Sequence, residues 1–193
     1  MSREDAPPPA DAVQATQNLQ EAIPNIAFEI ARLDPGPAAA LRRGPYRGSG
    51  AAAFWMLLTK HNPIGIAHNE VGWAALIQAI AVLTPKGRDP DKQSAHDYSM
   101  PMGRALCEAG FSELRLARLL SGAPELRPEV AVRTCRRLAG REFNRFNLVT
   151  LGDFVLFGGD HTDRRIARDY YRAHAAAARE SQDKQDRETS TDA

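Results

Sequence analysis

The spacing of apolar residues predicts helices along almost the whole chain. Within residues 67–83 the apolar positions recur at intervals of three and four, as on a helix with one buried side: Val71, Ala74, Ile77 or Leu76, Ile80 and Ala81. Further helices are predicted over 17–33, 102–109, 128–139, 147–157 and 163–178. No segment alternates convincingly with the two-residue period of a strand, and FVLFG at 154–158 is the ambiguous run. The predicted fold class is all-α.

Proline, glycine and serine mark where these helices begin and end. The sequence DPGP at 34–37 should stop the first helix, which Pro24 should already interrupt. Gly110 suits the left-handed position after a helix, and Ser112 suits the N-cap of the next one. Pro128 suits the first turn of the helix that follows.

The two ends of the chain are polar and bury little. APPPAD near the start and ESQDKQDRETSTDA at the end lack the apolar residues that a core needs. We therefore predict a compact helical bundle between disordered tails at 1–14 and 179–193. Residues 85–98 are predicted to form a long polar loop.

The formal net charge of +1 conceals a basic body between acidic ends. Residues 40–172 carry a net charge of +7, and arginine supplies 17 of their 20 positive side chains. The sequence shows no secretory signal and no apolar run of the ~18 residues that a membrane helix needs. The two cysteines, Cys107 and Cys135, do not form a CxxC motif, so a reducing cytoplasm is the expected setting.

Arginines share one side of each of three predicted helices. By the 3.6-residue period, three sets lie within about 100° on their helices: Arg115 and Arg118; Arg133, Arg136 and Arg137; Arg164, Arg165, Arg168 and Arg172. A solvated surface is the ordinary explanation for one such face. Three of them, together with Arg42 and Arg43, favour a surface for a phosphate backbone.

The sequence offers little for catalysis. His96 and Asp97 resemble the metal-binding pair of phosphohydrolases, but no other histidines stand at ligand spacing. We expect no metal, no cofactor and no enzymatic activity. Trp55 and Trp73 are predicted to be core residues, with Trp73 alternatively an interface anchor.

Six segments, in this order and at fitting intervals, resemble the CasB family, the small subunit of the type I-E Cascade complex of CRISPR immunity. The resemblance extends over about residues 17–172, most of the chain. The segments are ALRRG at 40–44, AFWMLL at 53–58, NEVGWAALIQAIAVL at 69–83, MGRALCEAGFSELRLARLL at 102–120, VRTCRRLA at 132–139 and RRIARDYY at 164–171. The longer Pro/Ala N-terminus, the acidic C-terminal tail and the 85–98 loop depart from the family pattern.

The resemblance implies a non-catalytic, all-helical subunit with two packed helical subdomains, here 15–110 and 111–178. Such a subunit supports the hybrid of guide RNA and target DNA and the displaced, non-target strand. Implied partners are those nucleic acids, the backbone subunits, the large subunit and a second copy arranged head to tail, with no membrane. Carried over by motif, the nucleic-acid-binding residues are Arg42, Arg43, Arg104, Arg115, Arg118, Arg136, Arg137, Arg164, Arg165 and Arg168. Helix geometry adds Arg133 and Arg141.

Two other classes of function are compatible with the residues. A helical adaptor could use the basic surface to bind acidic proteins, and its binding would weaken with salt. A nuclease could use the loop that contains His96 and Asp97, in which case the purified protein would cleave nucleic acid in a divalent-metal-dependent way.

Overall fold

The computed structural model describes residues 10–44, 49–61, 69–85 and 94–191. Within these ranges the regular structure is α-helical, apart from a 3-10 turn at Pro124–Leu126, and no strand is present. The all-α prediction is confirmed. The helices are α1 (Ala10–Arg32), α2 (Pro35–Arg43), α3 (Ser49–His61), α4 (Glu70–Leu83), α5 (Met102–Glu108), α6 (Glu113–Leu120), α7 (Arg127–Ala139), α8 (Leu148–Leu156) and α9 (Asp160–Thr191).

The first helix is not interrupted at Pro24, contrary to the prediction. Pro24 lies inside α1, between Ile23 and Ile26, whose side chains are fully buried. Burial of this apolar side outweighs the backbone hydrogen bond that proline cannot donate. The DPGP segment does end α1, but it also starts α2, because Pro35 occupies the first helical turn, where proline is favoured.

The turn between α5 and α6 follows the sequence prediction only in part. Gly110 has φ +70°, the left-handed conformation expected after a helix. Ser112 stands at the N-cap position of α6, but its side chain makes no capping hydrogen bond. At α4, by contrast, Asn69 does cap: its side chain accepts a hydrogen bond from the Gly72 N–H at 2.8 Å.

Two apolar residues lie on the surface although their helical position predicted burial. Trp55 is 41% exposed, whereas Trp73 is buried as expected. Val71 is 65% exposed, although Ala74 and Ile77 on the same predicted stripe are buried. Helical spacing identifies one side of a helix, but the neighbouring elements decide how much of that side they cover.

The helices share one hydrophobic core, which runs from Leu19 in α1 to Tyr170 in α9. Helix α4 packs against α7 and α8, and α5 packs against α9. The contact between α5 and α9 is close: a Cβ on Gly103 would lie 2.1 Å from the Ile166 carbonyl oxygen. The predicted division at residue 110 falls in the turn between α5 and α6, and helices from both sides of it contribute to this core.

The helical backbone reaches into both segments that were predicted to be disordered tails. It begins at Ala10 and ends at Thr191, so residues 10–14 and 179–191 are helical. Alanine, arginine, glutamate and glutamine are good helix formers, which extends α9 although residues 174–183 are exposed apart from the backbone they contribute to the helix. Residues 1–9 and 192–193 lie outside the described ranges, as do residues 86–93 of the predicted loop.

Candidate nucleic-acid interface

The first half of the site is the solvent side of α6. Leu116 and Leu119 are buried and anchor the helix on the core. This orientation leaves Arg115 and Arg118 exposed, as the helical period predicted. Neither arginine forms an ion pair with any residue in the described part of the chain.

The second half is the C-terminal end of α7, which lies beside α6. The half-buried guanidinium of Arg137 lies over the Phe111 ring, 5.5 Å from its centroid. The positive charge of Arg115, more than any other influence, lowers the pKa of Arg137 below its usual value, and Arg141 acts in the same direction. The Arg141 side chain lies against the turn between α5 and α6, since a Cβ on Gly110 would lie 2.8 Å from the Arg141 Nη1.

These residues form a group of like charges, which we call the α6–α7 cluster: Arg115, Arg118, Arg137 and Arg141. No carboxylate pairs with any of them within the described ranges, and the Arg137 Nε–H there has no hydrogen-bond acceptor. Arginine stays protonated at neutral pH, so the repulsion cannot be relieved by loss of a proton. A bound anion would relieve it, and the planar guanidinium suits phosphate oxygens.

The other arginines of α7 face a different part of the surface. Arg133 and Arg136 line an open groove of about 510 Å³ between α7, α4 and the end of α2, where Arg43 also lies. The three arginines that were predicted to share one face of α7 are therefore divided between this groove and the α6–α7 cluster. The groove is lined by Arg43, Gly44, Val71, Ala74, Ala75, Gln78, Glu125, Pro128, Glu129, Val132, Arg133 and Arg136.

Arg42 has an internal role that the sequence did not indicate. Its Nε–H donates to the Ala81 carbonyl at 2.9 Å, and its Nη2 donates to the carbonyls of Thr84 at 3.1 Å and Pro85 at 3.2 Å. These bonds satisfy carbonyls at the C-terminal end of α4 that lack helical partners. Three of its five donor hydrogens are thereby used, and burial lowers its pKa. Its neighbour Arg43 is exposed.

Arg165 is also engaged inside the protein. It is half-buried, and its Nη2 lies 2.6 Å from the Asp153 carboxylate of α8, which is itself buried. This pair joins α9 to α8. The guanidinium that was predicted to bind nucleic acid is therefore partly committed to holding two helices together.

Four further predicted arginines lie at the surface beside carboxylates of their own helix. Three of them form pairs four residues apart: Arg104 with Glu108, Arg133 with Glu129, and Arg164 with Asp160. The fourth, Arg168, lies 3.6 Å from Asp169. In each pair the carboxylate offsets the charge of its arginine, so these four present less net positive charge to an approaching strand than unpaired arginines do.

Two residues that shape this surface were missed in the sequence. Phe111 supports the Arg137 guanidinium, and its position directly after the Gly110 helix stop was the available signal. Arg127 is only 8% exposed and pairs through two hydrogen bonds with Asp163 at the start of α9. The only local hint was the neighbouring Pro128, because the partner is 36 residues away.

The structure gives the histidine of the proposed metal pair a structural role. His96 is buried, and its Nδ1 accepts a hydrogen bond from the Leu148 N–H at 3.2 Å. Burial lowers the pKa of His96, against a smaller opposing influence of Asp97, so the neutral ring that can accept this bond is favoured. Asp97 accepts hydrogen bonds from Ser99. No cluster of three metal-binding side chains occurs among the described residues.

Comparisons with known proteins identify no relative: no family model, no curated protein and no solved structure matches the chain. Within the part of the chain that the structure describes, no helix is long and apolar enough to cross a membrane.

Proposed function

We propose that this protein binds the sugar–phosphate backbone of nucleic acid through the α6–α7 cluster. The observation that carries the proposal is the grouping of Arg115, Arg137 and Arg141 without a neutralising carboxylate in the described structure. A nucleic-acid strand presents one negative charge per nucleotide, so it can meet several of these guanidinium groups at once.

The composition of the cluster favours backbone contacts over base recognition. Its members are all arginines, which bind the phosphate oxygens of any nucleotide, and it contains no Asn, Gln, Asp or Glu to read adenine or cytosine edges. The Phe111 ring under Arg137 holds that guanidinium in place and adds a cation–π contact. Binding by the isolated protein is therefore expected to be weak, salt-sensitive and indifferent to base sequence.

A triple variant tests this proposal. Replacing Arg115, Arg137 and Arg141 with alanine should weaken binding to a fluorescent 30-nucleotide single strand, measured by anisotropy at several salt concentrations. Each lost phosphate contact should lower the salt slope by about 0.7, so the triple variant should lose about 2. A scrambled strand should bind equally well.

A second triple variant is the matched control, since it removes the same total charge. Arg104, Arg133 and Arg164 are exposed but already paired with Glu108, Glu129 and Asp160. Their replacement by alanine should change the salt slope much less. Equal losses in the two variants would mean that overall charge, and not the cluster, binds the strand, and the proposal would fail.

Within this function we further propose the specific role implied by the resemblance: a small subunit that stabilises the guide–target hybrid and the displaced strand in a CRISPR surveillance complex. The support for it is the order of the six sequence segments that resemble the CasB family. Formation of an R-loop exchanges one duplex for another of similar stability, so modest backbone contacts can decide its lifetime.

This specific role has its own test. The tagged chain, purified from its native host, should bring with it a guide-sized RNA and larger subunits. In that complex, the triple variant of Arg115, Arg137 and Arg141 should shorten the R-loop lifetime while the RNA is retained. An unchanged R-loop lifetime, or a complex without RNA, would refute the role and leave simple backbone binding to be judged by the salt slopes.

A further inference from the structure

The groove between α4 and α7 differs in character from the α6–α7 cluster. Its floor is apolar and includes Ala74, Ala75, Pro128 and Val132. Val71 also lines it and is 65% exposed, so its side chain is not covered by the described residues.

The two ends of the groove can be told apart. At one end the starts of α4 and α7 lie near each other: Asn69 donates a hydrogen bond to the Leu156 carbonyl at 3.2 Å. Gly158, two residues after Leu156, contacts the guanidinium of Arg127, the first residue of α7, since a Cβ on Gly158 would lie 2.8 Å from the Arg127 Nη1. At the other end Gln78 donates to the Arg42 carbonyl at 3.0 Å, which places Arg43 beside the third turn of α4.

The charge of the lining residues differs between the two ends of the groove. We call the end at the starts of α4 and α7 the near end and the end beside Arg43 the far end. Arg43 and Arg136 belong to the far end and form no ion pair within the described ranges. Glu125 precedes α7 and belongs to the near end, where Val71 is exposed. Arg133 is already paired with Glu129. The groove therefore has an apolar, weakly acidic end and a basic end.

We propose that this groove docks an amphipathic helix of a partner protein, with apolar side chains on the floor and carboxylates against Arg43 and Arg136. Two neighbouring helices present a trough that suits a third helix. The charge distribution favours this occupant over nucleic acid, because a phosphate backbone gains nothing from the apolar floor and is repelled by Glu125. The inference is independent of the backbone-binding function, which uses other arginines.

Peptide selection tests the proposal. The full chain is immobilised and presented with phage-displayed random 16-residue peptides, and the enriched sequence is synthesised with a fluorescent label. We expect apolar residues spaced three and four apart, with Asp or Glu near one end. Failure to enrich any related set of sequences would overturn the proposal.

Two surface variants locate the bound peptide. Val71→Asp should weaken binding by about tenfold or more, because it places a charge on the apolar floor. Leu114→Asp is the matched control, since Leu114 on α6 is 61% exposed but lies outside the groove, and it should leave the affinity unchanged. Equal affinities of the Val71 variant and the wild type would overturn the proposal.

Charge reversal then fixes the direction of the peptide. Arg43→Glu and Arg136→Glu should each weaken binding, and a peptide with Lys in place of its acidic residues should recover it. Arg172→Glu, on the exposed Arg172 of α9 outside the groove, is the control and should have little effect. If single-stranded DNA displaces the peptide and Val71→Asp has no effect, the groove holds nucleic acid and the docking proposal is wrong.

Discussion

The two ends of helix α7 place an arginine on a phenylalanine ring in two different electrostatic settings. Arg127, at the first turn, lies 4.8 Å from the Phe154 centroid and pairs with Asp163. Arg137, in the last turn, lies over Phe111 beside two further arginines and has no carboxylate partner in the described structure. The difference is the counter-ion, which the chain supplies at one end and not at the other.

This contrast separates arginines that hold the fold from arginines that are available to a ligand. A buried guanidinium without its partner is costly, so Arg127 and Asp163 depend on each other. Arg137 is half-buried and reached by water, and its position at a helix C-terminus offsets part of the repulsion from its neighbours. Its charge is left for an external anion.

The largest expected effect is on the Arg127 side of the comparison. Arg127→Ala leaves Asp163 without a partner and exposes the Phe154 ring, so it should lower the free energy of unfolding by about 3 kcal/mol. Arg118→Ala, on exposed and unpaired Arg118, should change it little. Urea unfolding measures the free energy of unfolding of both variants. The comparison holds if the dependence of this free energy on urea concentration is the same as in the wild type. A negligible change in the Arg127 variant would remove the distinction between the two sets.

Arg42 and Arg43 offer the same comparison between an arginine bonded inside the protein and an exposed one, with a smaller expected change in the free energy of unfolding. Arg42→Ala should cost about 1–2 kcal/mol, because it leaves the carbonyls at the end of α4 without a donor. Arg43→Ala removes the same charge from the next residue, whose side chain is exposed. It should leave the free energy of unfolding nearly unchanged. Thermal and urea unfolding of the two single variants suffice. Equal stabilities would show that the Arg42 hydrogen bonds are replaced by water without loss.

Much of the fold could be predicted from local spacing. The observed limits of α7 and α8 differ from the predicted ones by one residue at most, because proline, glycine and apolar spacing act within a helix. The predicted interruption at Pro24 and the predicted burial of Trp55 were wrong for another reason. Whether a proline is tolerated, or a tryptophan covered, depends on neighbours that are distant in sequence.

The candidate site was predictable to a similar extent. The outward direction of Arg115 and Arg118 followed from the helical period. The i,i+4 pairs, such as Arg104 with Glu108, were visible in the sequence and could have been set aside. The partners of Arg42 and Arg127 could not be predicted from the sequence, since they lie 36 or more residues away. Spacing locates a guanidinium, whereas tertiary contacts decide whether its charge is used.

The smallest expected effect decides whether the cluster lacks an internal partner. Replacing Arg115, Arg137 and Arg141 with alanine removes mutual repulsion and no ion pair, and this gain balances or exceeds the loss of the Arg137 contact with the Phe111 ring, so the thermal midpoint should stay the same or rise slightly at low salt. Salt screens such repulsion, so the wild type should approach the variant as ionic strength increases toward 1 M, where the Debye length is about 3 Å. The control variant of Arg104, Arg133 and Arg164 breaks three surface pairs and should show the opposite sign at low salt. A marked loss of stability in the cluster variant at every salt concentration would mean that these arginines hold the fold, as Arg127 does. In that case a loss of nucleic-acid binding in the same variant would reflect unfolding and not a missing contact.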